Sequence, residues 1–185
     1  LASGRGDALL VAQLLSAQAD VHVANSRGWT ALMFACQGFS AEVVQAVLDA
    51  GTAVDTTSFD GVTSLLIASA NGNEAAISAL LTHGADVESS DHEGRRSLML
   101  AAKAGSKECV SVLLDAGASV DVAASDGWRS AMFAEARGDA VGTEILAMLR
   151  NAGAAELSET ESAIAAGFSE EEAERALQAV ASAQT

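Results

Sequence analysis

Asp60-Gly61-Val62-Thr63-Ser64-Leu65 decides the fold, because the chain repeats the phrase. Arg27-Gly28-Trp29-Thr30-Ala31-Leu32 precedes it, and Glu93-Gly94-Arg95-Arg96-Ser97-Leu98 and Asp126-Gly127-Trp128-Arg129-Ser130-Ala131 follow it, so that Gly28, Gly61, Gly94 and Gly127 recur every 33 residues. A second marker keeps the same phase. Ala50-Gly51, His83-Gly84 and Ala116-Gly117 are each followed within three residues by a valine, Val54, Val87 or Val120. A fixed period of this size marks stacked supersecondary units.

Between the markers lie two short patterns with apolar residues at helical spacing, such as Ser64 to Ala70 and Glu74 to Thr82. Each unit is therefore a turn followed by two helices. One such pair cannot bury both of its apolar faces, so the units must stack and share a core that runs along the array. Gly72, Gly105 and Gly138 fall where the first helices end, the place where glycine enters the left-handed region cheaply.

The period and its Gly-x-Thr-x-Leu phrase resemble the ankyrin-repeat family over about residues 1–155. The resemblance implies an all-α ankyrin-repeat solenoid of about five units with short turn fingers. These are a partial cap from Leu1 to Ala24, full repeats beginning at Asn25, Ser58 and Asp91, and a last one from Ala124. The family's proline is replaced by Ala31, Ser64, Ser97 and Ser130, and its histidine by Met33, Leu66, Met99 and Met132. In the last repeat Gly138 and Gly153 are 15 residues apart, against 12 for Gly105 and Gly117, which predicts an insertion around Gly142 and an altered second helix.

Ten Lys and Arg face twenty-five Asp and Glu, a net charge near -15 that would repel phosphate backbones and anionic lipid. Nucleic acid and membrane insertion are accordingly not expected. Cys36 and Cys109 lie two units apart, about 20 Å at ordinary helix spacing, too far for a disulfide and consistent with a reducing compartment. A soluble, intracellular protein is expected, its compartment open, and Leu1 in first place leaves room for a removed targeting peptide. His22, His83 and His92 share no metal-ligand spacing, and no phosphate loop or nucleophile grouping is present. No cofactor, metal or catalytic residue is expected, and the protein is read as a non-enzyme. Arg5-Gly6-Asp7 aligns with Gly72-Asn73 and reads as an inter-helix turn.

The resemblance implies that a partner protein binds to the turn tips and to the groove side of the first helices. Carried over by position, the candidate contacts on the turns are Arg27, Trp29, Phe59, Asp60, Val62, His92, Glu93, Arg95, Asp126 and Trp128. On the first helices they are Asn71, Lys103 and Arg137, with Gln37 beside them. Two features of the sequence point to the same face. Trp29 and Trp128 hold the same position in the second and fifth units, so they would bracket a groove about 30 Å long unless each merely covers its own turn. Arg27, Arg95, Arg96, Lys103, Arg129 and Arg137 all fall on turns or first helices, whereas the second helices carry mostly Asp and Glu. Arg96 and Arg129 stand at helix N-termini, where the dipole disfavours a cation. They either serve binding or are neutralised by Asp91, Glu93 and Asp126. The expected partner segment is acidic or mixed in charge and partly extended.

From about residue 156 the period ends, and residues 156–185 form an acidic, alanine-rich segment expected to make a helical hairpin. Ser158 with Glu161, and Ser169 with Glu172, are capping-box patterns, and Ala173, Leu177 and Val180 form an apolar stripe. Gly167-Phe168-Ser169-Glu170-Glu171-Glu172-Ala173 resembles the loop and second helix of a ubiquitin-associated domain, with Ala166 where that family has methionine. That resemblance implies ubiquitin as a partner of this segment. The other reading is a hairpin that caps the solenoid and docks Phe168 on the last repeat. The expected function is a protein-protein interaction module or adaptor. The alternatives are a permanent structural subunit of a larger assembly, or a ubiquitin-system adaptor.

Overall fold

In the computed structural model residues 8–38 and 40–175 are described. Arg5-Gly6-Asp7, expected as a turn, and Leu177 and Val180, expected in the apolar stripe, lie outside the described residues. Within them the regular structure is helical: α1 Ala8–Ser16, α2 Ala31–Gln37, α3 Ala41–Asp49, α4 Ser64–Ala70, α5 Glu74–Thr82, α6 Ser97–Ala104, α7 Lys107–Asp115, α8 Ser130–Ala136, α9 Ala140–Asn151 and α10 Glu159–Ala165. Helical backbone resumes at Glu170, and two isolated β-bridges join Ser90 to Arg96 and Ala123 to Arg129.

Local chemistry sets where the helices start. Ser40, Asn73, Ser106 and Asp139 stand at the N-caps of α3, α5, α7 and α9, and their side-chain oxygens accept the amides of Val43, Ala76, Cys109 and Gly142. Thr30 and Thr63 do the same for α2 and α4, each such cap being worth about 1 kcal/mol. Arg96 and Arg129, which replace threonine at the starts of α6 and α8, make no side-chain cap.

The helices form two rows. In the inner row α2, α4, α6, α8 and α10 each pack on the next, and in the outer row α1, α3, α5, α7 and α9 do likewise. The core fills the space between the rows: Leu32, Leu65 and Leu98 from the inner helices meet Val47, Leu80 and Leu113 from the outer ones, all 1% exposed or less. Met33, Leu66, Met99 and Met132 are buried as well, so apolar side chains occupy the four positions where the family has histidine. At the amino-terminal end this pattern lapses. Leu10 and Leu14 of α1, equivalent by period to Val43 and Val47, are 42% and 45% exposed.

The inner helices α2, α4, α6 and α8 are each preceded by a finger. Asn25 donates its amide to Trp29 O, Ser58 to Val62 O, Asp91 to Arg95 O and Ala124 to Trp128 O, at 2.9 to 3.2 Å. Successive fingers are joined by one bond each, from Phe59 N to Arg27 O, His92 N to Asp60 O and Ser125 N to Glu93 O. The glycine in the turn permits this approach: a Cβ on Gly61, whose φ is +76°, would stand 3.0 Å from His92 N. Behind the fingers, carboxylates fasten each unit to the next. Asp55 accepts the amide of Asp86, Glu88 that of Ser119 and Asp121 that of Ala155.

The end of the array departs from the repeat in two ways. The altered second helix expected around Gly142 is present: α9 has 12 residues where α3, α5 and α7 have 9. Then Ser158, the N-cap of α10, follows Gly153 by five residues, whereas Thr63, Arg96 and Arg129 each follow their glycine by twelve. Thus α10 joins the inner row without a finger. Phe168 is not docked on the last repeat as expected but 56% exposed. Ala165 and Ala173, 6% and 1% exposed, are the buried side chains of this segment, and the Phe168 ring is not among them.

Candidate functional site

The fingers and the inner row place two residues of each unit side by side. Trp29, Val62, Arg95 and Trp128 end the four fingers, and Phe34, Ile67, Leu100 and Phe133 lie five residues further on, in the inner helices. In the second and fifth units these are aromatic pairs: Trp29 and Phe34 have ring centroids 5.2 Å apart, and Trp128 and Phe133 4.8 Å. Each tryptophan therefore packs against its own unit and is half-buried, yet each also lines a depression in the surface above the inner row.

Three depressions follow one another along that surface. One, of about 320 Å³, lies between Trp29 and Leu100 and is walled by Val62, Ile67 and Ala70, with Gln37 and Asn71 also lining it. A second, of about 330 Å³, lies among the finger residues Asp60, Val62, Asp91, His92 and Glu93. The third, of about 440 Å³, is walled by Trp128, Phe133 and Ala136 and ringed by Glu93, Lys103, Asp126 and Arg137. Arg95 lines all three, which makes them one furrow. Of the candidate contacts, Arg27 and Phe59 are exposed on the finger tips and line none of these depressions, whereas the others do.

Charge in the furrow is largely committed. Arg95 Nε donates to Asp91 Oδ2 at 2.7 Å, and a terminal nitrogen meets Glu93 at 2.7 Å. Asp91, 7% exposed, also accepts the amides of Glu93 and Arg95, so the arginine braces a finger that the carboxylate already folds. Hydrogen bonding to Asp91 raises the Arg95 pKa further. Arg137 donates to Lys103 O at 3.0 Å and to Asp139 at 2.8 Å. The Gly142 amide and then Arg137 hold the Asp139 carboxyl below its ordinary value. Lys103, by contrast, forms no ion pair among the described residues; its Nζ stands 5.7 Å from the centre of the Phe133 ring.

Arg96 and Arg129 are neutralised, but not by the expected carboxylates. Arg96 pairs with Glu88, and Arg129 pairs with Asp121 at 2.9 Å and Glu161 at 2.7 Å. Glu88 and Asp121 are the inter-unit fasteners, so these cations compensate carboxylates that hold the stack together. Cys36 and Cys109 are buried free thiols, each 0% exposed. Burial pushes the Cys36 pKa up to about 12 and raises that of Cys109. Among the described residues no three His, Cys, Asp or Glu side chains stand close enough to hold a metal ion.

Of the furrow's apolar walls the sequence reading names Val62 and the two tryptophans. Ile67, Leu100 and Phe133 were unnamed, although the period that links them to Phe34 is legible once the fingers are fixed.

A family model for ankyrin repeats in three copies matches residues 1–91, and one for a single ankyrin repeat matches residues 93–125. The chain belongs to the ankyrin-repeat family. A comparison with curated proteins gives no match. Beyond residue 125 the ankyrin packing continues, since α8 and α9 lie on α6 and α7, and α10 lies on α8. Ankyrin repeats mark a protein-protein interaction module, and no helix among the described residues is long and apolar enough to cross a membrane.

Proposed function

We propose that this ankyrin-repeat protein is a non-catalytic adaptor that receives a partly extended segment of a partner protein in the furrow above its inner helices. The observation that carries the reading is the contrast between the two sides of the stack. The furrow joins aromatic ends, aliphatic walls and three of the ten basic residues, Arg95, Lys103 and Arg137. From α3 to α7 the outer row exposes Glu42, Gln45, Asp49, Glu74, Glu108 and Asp115, and its exposed leucines, Leu9, Leu10 and Leu14, are confined to α1. Such an outer surface disfavours the reading as a permanently buried subunit, which needs apolar faces to bury. Furrow residues also include tryptophan and arginine, the types richest in interface hot spots.

Photocrosslinking tests the reading. Benzoylphenylalanine placed at Val62 or Asn71 is expected to capture discrete protein bands from a native extract. The same group at Gln45 or Ser111, on the outer row, is expected to capture none of them. Equal labelling from both faces, or labelling from the outer face alone, would dispose of the furrow as the binding surface.

A second reading, ubiquitin binding by the carboxy-terminal segment, is favoured by the exposed Phe168 in its Gly-Phe turn. Titration of labelled protein with ubiquitin should then shift the amides around Gly167; unmoved resonances at millimolar ubiquitin would end it.

A further inference from the structure

The two ends of the furrow differ in what they leave unsatisfied. Around Trp29 the walls are apolar, Val62, Ile67 and Leu100, and the charges that reach it, Asp91 and Arg95, are bound to each other. That end offers burial without charge, and the side-chain amides of Gln37 and Asn71, exposed and in no hydrogen bond among the described residues, can meet a peptide backbone. Around Trp128 three cations line the depression, but Arg95 is committed to Asp91 and Glu93, and Arg137 to Asp139 and the Lys103 carbonyl. Of the carboxylates there, Glu93 is held by Arg95 and Asp126 accepts the Trp128 amide. What remains is the Lys103 ammonium, exposed and, among the described residues, supported only by the face of Phe133.

We propose that one extended segment reads both ends, an apolar side chain entering the depression beside Trp29 and Val62 and a single carboxylate pairing with Lys103. This inference rests on the furrow being the binding surface. Neighbouring inner helices lie roughly 10 Å apart, so Lys103 in α6 stands two helices, about 20 Å, along the furrow from Trp29 before α2, which an extended chain spans in about six residues. A carboxylate suits the second end better than a phosphate, because Glu93 and Asp126 line the same depression and repel a dianion more strongly. The net charge of -15 also selects against a polyacidic run, so the segment carries its carboxylate in an otherwise neutral or basic context.

The test uses twelve-residue capped peptides of Ser, Gly and Lys carrying one Leu and one Glu, with two to nine residues of separation. Binding is read by intrinsic fluorescence. Trp128→Phe leaves Trp29 to report the apolar end, and Trp29→Phe leaves Trp128 to report the Lys103 end. Affinity is expected to peak near a separation of six, to fall at least tenfold on Glu to Gln in the peptide, and to lose its dependence on that Glu in Lys103→Met. In Lys103→Glu the preference is expected to move to peptides with Lys in place of Glu; circular dichroism melts confirm that both variants fold. No binding by any peptide, affinity indifferent to spacing or to residue 103, or tighter binding of phosphoserine than of Glu would each overturn the inference. Furrow crosslinks that persist in that case would leave the binding surface standing and remove only the two-ended recognition; loss of both would remove the surface itself.

Discussion

The guanidinium of Arg137 lies across Gly105, so close that a Cβ on Gly105 would stand 2.4 Å from Arg137 Cζ. Gly105 ends α6 in the left-handed region, φ +79°, and Arg137 reaches over it to Lys103 O. One glycine thus serves both a helix end and the junction between the fourth and fifth units. Gly105→Ala is expected to cost about 1–2 kcal/mol for the left-handed alanine alone, and more because the guanidinium must move. In an Arg137→Ala background the excess should vanish, leaving only the backbone cost. Urea midpoints of the two single variants and the double variant measure this coupling; a Gly105→Ala penalty unchanged by the second substitution would show that the contact contributes nothing.

Arg137 also shows where sequence reasoning stops. The bounds expected for one helix pair, Ser64 to Ala70 and Glu74 to Thr82, are those of α4 and α5, because Thr63, Asn73 and the neighbouring glycines are local signals repeated at fixed spacing. Long charged side chains carry no such local signal. Arg129 finds Glu161 across 32 residues, and Arg137 finds Lys103 O across 34. These partners are chosen by the stacking distance and not by the chain. The same holds for Phe168, which no local signal distinguishes from a docked ring and which stays exposed while Ala165 and Ala173 are buried.

Ser97 opens α6 with its hydroxyl buried and without a partner. Removing an unsatisfied polar group is favourable, so Ser97→Ala should raise stability by about 1 kcal/mol. Ser97→Pro should do at least as well, since it stands at the first helical position and Arg96 before it is already extended, φ -108° and ψ 163°. Ser64, in the equivalent position, bonds to the Cys36 thiol, so Ser64→Ala should bring no gain. Thermal melts of the variants decide it: equal losses for Ser97→Ala and Ser64→Ala would mean that the Ser97 hydroxyl has a partner after all.

Glu161 ties α10 to the stack through Arg129 and closes its own capping box with Ser158. The Ser158 amide, then Arg129, hold its carboxyl below the ordinary 4.5. A carboxyl with a depressed folded pKa contributes stability that is fully present above the unfolded value and is lost as pH falls through the folded one. The attachment of α10 should therefore be intact at neutral pH and weaken below about 4.5, ahead of the central units. Amide exchange in residues 159–165 measured between pH 6 and pH 3 should show this loosening. In Glu161→Gln the pH dependence should be flattened; an unchanged profile would place the titration elsewhere.

The two thiols report which end of the array opens first. At pH 8 a thiol with a pKa of about 12 holds roughly one thiolate in ten thousand, so Cys36 in the closed state is inert to disulfide reagents. Reaction then requires opening, and in a stacked array opening begins at the ends. Cys36 lies in α2, next to a terminal unit in which α1 buries only Val11. Cys109 lies in α7, packed between α5 and α9. Cys36 should accordingly react before Cys109 in low urea, even though its pKa is pushed up to about 12. Single-cysteine variants, Cys109→Ala and Cys36→Ala, with a thiol reagent in stepwise urea give the order. If Cys109 reacts first or the two react together, the amino-terminal end is not the weak end of the stack.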